Sequence, residues 1–332
     1  MNIFMMATHP AVVDHESQMF HALGHNVYTA GWATGINAYG GKYEHNKMHF
    51  FQGKCDFLDE ADQKILSKID ISWPDVAATY PDVGEVLVKN FDIFYVSQIT
   101  TWLTYYSVLF LEANKKVIFR TFGFGPGGYS WFPPLFKYPN MYVVPSYNRE
   151  TAFYGNTRCT TPIMLAMREE LVDTSLLGDD GYIFAIVNAG NPSYWNIPKN
   201  KVEALGASYY VHDYVKGWLT TEELAKKFAR CRIYVDFWKA PPKSATFEAM
   251  LYKKPVLLHE GGQAFNSMVE TGFPSGSINC YHSEANGFQS QVELIVSLYH
   301  SPEKRQEIVN VQSKWQADVT KRSELAWKEL LK

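Results

Sequence analysis

The pattern that most constrains this chain is a strand–helix–strand alternation that runs through its first half and then starts again. Asn2 to Thr8 is a short apolar run, and the stretch from Val12 to Leu23 carries Val13, Met19, Phe20 and Leu23 at helical spacing. Gly24-His25 ends that helix, and Asn26 to Ala30 reads as a second strand. A strand, a helix and a strand in this order build a parallel sheet. Phe91 to Ser97 reads as a further buried strand, 102–113 as a helix, Lys116 to Arg120 as the next strand and Met141 to Pro145 as a weaker one. Residues 34–85, rich in Gly, Asp, His and Pro, read as an insertion or irregular flank, and 148–180 as the connection between halves.

The second half repeats the alternation. Tyr182 to Val187 is a strand, Lys199 to Leu205 a helix and Ala207 to Val211 a strand. Thr220 to Phe228 is a helix that Thr220 or Thr221 caps, with Glu222-Glu223 on the favourable side of its dipole. Ile233 to Phe237 is a strand, Ala245 to Tyr252 a helix, and Pro255 to Leu258 a strand leading to Gly261-Gly262. After Val292 the chain reads as helix to Lys332. At 332 residues it is long enough for two domains of roughly 100–200 residues each. The expected fold class is α/β: two Rossmann-like domains over 1–160 and 170–315, facing across a cleft, with a last helix over 316–332.

Charge and cysteine usage exclude some functions. Lys and Arg total 31 against 34 Asp and Glu, a net charge of −3, so no global field draws nucleic acid, although a local basic groove stays open. No stretch approaches the ~18 apolar residues of a membrane span, and the first residues lack a secretory signal, so a soluble cytoplasmic protein is expected. Cys55, Cys159, Cys231 and Cys280 lie far apart without zinc-ligand spacing, and read as reduced thiols. Aromatics make up 15% of the chain, and those beside glycine or proline, such as Trp32, Trp131 and Trp238, suit either stacking on rings or core packing.

The stretch with most chemistry is Lys243-Ser244-Ala245-Thr246-Phe247-Glu248-Ala249-Met250-Leu251-Tyr252-Lys253-Lys254-Pro255-Val256. A helix opening near Ser244 presents free backbone N–H groups and a positive dipole end to an anionic diphosphate, with Lys243 beside it. The bland alternative is an amphipathic helix with a solvated Glu248. Glu248-Ala249-Met250 followed by Lys254-Pro255-Val256 resembles the "EAM…G-K-P-V" passage of two-Rossmann (GT-B) glycosyltransferases, notably the retaining family four, including the compact kind found in phages. Leu23 to Val27 is similar to their "GH-x-V" turn, and Gly217 to Leu224 to their "G…E-E-L" segment.

The resemblance implies an enzyme that moves a sugar from a nucleoside-diphosphate sugar, a UDP-sugar foremost, to a hydroxyl acceptor. Glu248 would hold the donor ribose, and His212, Tyr214 and Val215 the base. Asn188, Gly190, Ser244, Ala245, Gly261 and Gly262 would line the phosphate side, with Lys199, Lys201, Lys243 and Arg120 as candidate cations for the diphosphate. The last helix would return to the first domain. The acceptor would be a saccharide, a glycoconjugate or a hydroxymethylated base of phage DNA. No DxD triplet occurs, which suits metal-independent transfer with no tightly bound cofactor. A nucleotide-sugar epimerase of the same fold and a non-catalytic two-domain binding protein are the alternatives.

The sequence also departs from the family. Ala240 stands where a first glutamate is usual, eight positions before Glu248, and Thr8-His9-Pro10 replaces the Gly-rich loop after the first strand. His9, Asp14 and His15 follow that strand, where an acceptor-activating base would sit; equally, Asp14 caps the helix and the histidines are solvated. Gly123-Phe124-Gly125-Pro126-Gly127-Gly128 formally matches GxGxxG, but Pro126 and Pro133-Pro134 oppose the helix that a dinucleotide site needs. Asp59-Glu60-Ala61-Asp62 has no phosphate loop upstream and is a chance match to a helicase motif.

Overall fold

The structure, a computed structural model, describes residues 1–7, 10–31, 57–66, 81–97, 101–121, 133–146, 160, 162–165, 169, 172–187, 193–213, 219, 221–236, 244–259, 263–274, 280–281 and 287–332. The chain divides into two compact units, Met1–Ala166 with Arg322–Lys332, and Met167–Lys321.

The first unit contains β1 (Asn2–Ala7), α1 (Pro10–Ala22), β2 (Asn26–Gly31), α2 (Glu60–Leu66), α3 (Pro81–Asn90), β3 (Ile93–Ser97), α4 (Thr101–Glu112), β4 (Lys116–Arg120) and β5 (Met141–Val144). Its strands pair in the order β2-β1-β3-β4-β5, all parallel. The strands are apolar without alternation because a parallel sheet is covered on both faces. Thus Ile3, Phe4 and Met5 are all buried, as are Ile93 to Val96 and Val117 to Phe119. One face is an aromatic cluster in which Phe4 stacks on Phe94 and Phe94 on Phe110, with ring centroids 5.6 and 5.2 Å apart.

α1 stops where Gly24 takes a φ of +87°, letting the His25 N–H reach Phe20 O at 3.1 Å. α2 falls inside the stretch 34–85 read as irregular and α3 begins in it and runs past its end, which corrects that expectation. Val83, Val86 and Leu87 recur at helical spacing and are buried, but Gly84 interrupts the apolar pattern. The interruption is steric: a Cβ on Gly84 would lie 2.5 Å from Leu109 Cδ1 of α4.

The second unit contains β6 (Tyr182–Val187), α5 (Ser193–Ala204), β7 (Ser208–Asp213), α6 (Thr221–Arg230), β8 (Ile233–Asp236), α7 (Ser244–Leu251), β9 (Val256–His259), α8 (Gln263–Glu270), β10 (Cys280–Tyr281), α9 (Gly287–His300) and residues 302–321 of α10 (Pro302–Leu330). Its parallel sheet has the order β10-β9-β8-β6-β7, the same topology as the first. In each sheet the first strand is flanked by the next strand on one side and by the later strands on the other. The order therefore reverses between β1 and β3 and between β6 and β8, and crevices beyond the strand ends at such points are where open α/β sheets bind ligands.

α8 and β10 were not legible as elements. The terminal helix is two helices, because Pro302 has no N–H with which to continue α9, and Ser301 Oγ accepts from the Lys304 N–H at 3.3 Å as α10 begins. In the second unit, α10 places Gln312 against Val256: its Oε1 accepts from the Val256 N–H at 3.2 Å and its Nε2 donates to Val256 O at 2.8 Å. Residues 322–332 belong to the first unit, where Trp327 is fully buried and meets Phe20 edge-on at 4.9 Å. Ser323 Oγ donates to Met164 O, and Lys116 Nζ to Leu330 O, at 2.9 and 2.7 Å. No helix among the described residues is long and apolar enough to cross a membrane.

Candidate functional site

The switch point of the second sheet lies between β6 and β8. β6 ends at Val187, so the chain passes directly into Asn188 and Gly190; β8 ends at Asp236, and Lys243 precedes the first residue of α7, Ser244. Two stretches singled out in the sequence thus leave from adjacent strands. Asn188, Gly190, Tyr214, Val215, Lys243, Gly261 and Gly262 themselves lie outside the described residues, as does His9.

Of Ser244 the structure describes the backbone at the start of α7; Ala245, next to it, is buried at 8% exposure. Glu248 is half-buried one turn further on. Its carboxylate lies within electrostatic reach of two phenols. Burial, then Asp236 and Glu248, push the Tyr234 hydroxyl well above the ordinary tyrosine range, and burial, then Glu248, raise that of Tyr252. Glu248 is therefore not a freely solvated surface charge. Tyr252 is its i+4 neighbour, and stacks on Phe228 of α6 at 6.4 Å.

Under the start of α7 lies a polar pair that no motif in the sequence marks. Thr246 Oγ1 donates to Asp236 Oδ2 at 2.8 Å, and both residues are buried, at 0% and 1% exposure. Tyr234 sits two residues earlier on β8, hence on the same face; its hydroxyl is enclosed and has no hydrogen-bond partner among the described residues. A carboxylate closing the apolar run Ile-Tyr-Val was the available signal, since strand C-terminal ends carry ligand-binding groups.

Other candidates are placed differently from expectation. α5 begins at Ser193, ahead of Pro198, so Lys199 is its seventh residue instead of its first, and its ammonium lies 3.9 Å from Glu203 on the same helix. His212 is the fifth residue of β7, half-buried and paired with Ile186.

In the first unit, α1 starts at Pro10, so Asp14 lies in its second turn and does not cap it; only the backbone of Asp14 is described. His15 is buried at 6% exposure, which overturns the reading of a solvated histidine. Arg120, a candidate cation for the diphosphate, is fully enclosed. Its Nη2 lies 3.0 Å from Glu16 Oε1, its Nη1 donates to Pro145 O at 3.1 Å, and its guanidinium lies 5.6 Å from the centre of the Trp327 ring. Tyr95 donates its hydroxyl proton to the other Glu16 oxygen. The charge is thus met by a protein carboxylate.

No protein-family model and no curated protein sequence matches the chain. Among solved structures it is similar to sucrose-phosphate synthase from Thermosynechococcus elongatus, at 12% identity over 99% of this chain and 98% of that one, with a TM-score of 0.56. It is also similar to UDP-GlcNAc 2-epimerase from Neisseria meningitidis bound to UDP-GlcNAc, at 12% identity over the whole of both chains and a TM-score of 0.54. A third likeness is a putative UDP-N-acetylglucosamine 2-epimerase from Listeria monocytogenes, at 11% identity over 97% of this chain and 94% of that one, with a TM-score of 0.52. Together with the two parallel sheets, these likenesses give the chain the two-Rossmann-like α/β fold of the GT-B type.

Proposed function

We propose that the protein is a glycosyltransferase that moves a sugar from a nucleoside-diphosphate sugar, a UDP-sugar foremost, to a hydroxyl acceptor. The observation that carries this reading is the β6/β8 switch point: the two strands are neighbours in the sheet, one leads in sequence to 188–190, and the other precedes α7 with Glu248. There the first N–H groups of α7, free of helical partners, meet the diphosphate, and Glu248 accepts from the ribose hydroxyls. The donor's charge is then stabilised by fixed dipoles that need no reorganisation as the glycosidic bond breaks. With the leaving phosphate taking the acceptor proton, the transfer retains configuration, and a bound metal is not required. The first unit supplies the acceptor side, the acceptor being a saccharide, a glycoconjugate or a modified DNA base.

A second reading is a nucleotide-sugar epimerase, favoured by the likeness in fold to an epimerase that holds UDP-GlcNAc. The two separate in one assay, because an epimerase converts a UDP-sugar with no acceptor present, whereas the transfer needs one.

The test is thermal unfolding of the wild type and Glu248→Ala with UDP, GDP, ADP and CMP and their sugar conjugates. A ligand at 100 times its dissociation constant stabilises by about 2.7 kcal/mol, a shift of several degrees. Stabilisation by one diphosphate, lost in Glu248→Ala, is the expected result; no shift with any nucleotide overturns the reading.

A further inference from the structure

Asp236 is a buried carboxylate at the C-terminal end of β8, beside the strand-order reversal, and Thr246 is the third residue of α7. A packed core gains nothing from this pair. A carboxylate taken out of water is costly even when hydrogen-bonded, and Val at both positions would fill the space without that cost. Thr246 is also one of the first four residues of α7, whose N–H groups have no partner within the helix. The 2.8 Å bond from Thr246 Oγ1 to Asp236 Oδ2 therefore ties the first turn of α7 to the C-terminal end of β8, at the strand-order reversal. On the same face of β8, the Tyr234 ring packs against Phe184 and Phe228, and its enclosed hydroxyl lacks a partner among the described residues.

We propose that Asp236 and Thr246 are positioning residues for nucleotide binding: their hydrogen bond sets the direction in which the first turn of α7 presents its N–H groups to a nucleoside diphosphate. This rests on the donor reading of that turn given above. Neither side chain touches the ligand; both act through the helix. Geometry is what the pair supplies, so an amide at 236 serves as well as a carboxylate provided it still accepts from Thr246.

The test is the dissociation constant for UDP, measured by calorimetry on wild type, Thr246→Val, Thr246→Ser and Asp236→Asn, each shown to be folded by circular dichroism. Loss of the hydroxyl in Thr246→Val is expected to weaken UDP binding about tenfold, while Thr246→Ser restores it to within about twofold, a tenfold change being about 1.4 kcal/mol. Asp236→Asn is expected to bind UDP at least as tightly as wild type. Should Thr246→Val fail to fold, Asp236→Ala against Asp236→Asn makes the same comparison, since only Asn keeps the acceptor. Wild-type binding with Thr246→Val unchanged overturns this proposal alone. Failure of the wild type to bind UDP or any other nucleoside diphosphate overturns the donor reading and this proposal with it.

Discussion

The Arg120 guanidinium lies 3.0 Å from the Glu16 carboxylate, and neither side chain has any exposed surface. The pair joins α1 to β4, with Tyr95 of β3 donating to the same carboxylate and Trp327 of the returning C-terminal segment covering the guanidinium. Removing one member of a buried pair leaves the other uncompensated. Arg120→Met is expected to cost about 3–5 kcal/mol in urea unfolding, and Glu16→Gln/Arg120→Met to recover part of that loss. Equal additive losses in a double-mutant cycle would contradict the coupling.

The same carboxylate sets a pH dependence. Burial raises Glu16 above its ordinary value of 4.5, against the pull of Arg120 and Tyr95. A raised carboxyl binds its proton more tightly in the folded state, so its contribution to stability is fully present below 4.5 and is lost as pH rises through the raised value. Wild type is therefore expected to lose stability relative to Glu16→Gln as pH increases above 4.5, measured by unfolding at a series of pH values.

Asp180 gives the opposite sign. The hydrogen bond from Arg230, at 2.7 Å from Nε, holds its carboxyl below the ordinary value of 3.8, despite some opposing burial. This contribution is present above 3.8 and lost as pH falls through the lowered value. Asp180→Asn is expected to be less stable than wild type near neutrality, with the difference closing in acid; a gap unchanged below pH 3 would contradict it.

Lys253 follows α7 with a φ of 54°, a left-handed conformation that the motif it resembles assigns to glycine. The Lys253 N–H reaches Met250 O at 2.9 Å, so the turn keeps the glycine geometry with a side chain in place. Its exposed ion pair with Glu169 is worth little in return. Lys253→Gly is expected to stabilise the chain by about 1 kcal/mol, read as a higher denaturant midpoint.

Cys231 follows α6 with no exposed surface, and burial pushes its thiol up to about 12. The thiolate is the reactive form, so iodoacetamide at pH 8 should leave Cys231 unmodified in the folded protein and label it in urea, as mapped by mass spectrometry.

The alternation of apolar runs and helical spacing was enough to establish two parallel α/β units, because burial on both faces writes a strand such as Ile93 to Val96 into adjacent residues. It also located α7 and Glu248, since the signals of a helix start are local. α3 was left unread because its apolar pattern breaks at Gly84, where Leu109 packs, whereas the division at Pro302 rests on the proline itself and was a local signal passed over. The order of strands came from the tertiary structure alone, and with it the adjacency of β6 and β8, the strands that precede 188–190 and 243–248. Pairing is decided by which faces can be buried together over long separations, and no short window of sequence records that. For the same reason Glu16 and Arg120, 104 residues apart, and Asp236 and Thr246 across a strand and a helix, became partners only in the folded chain.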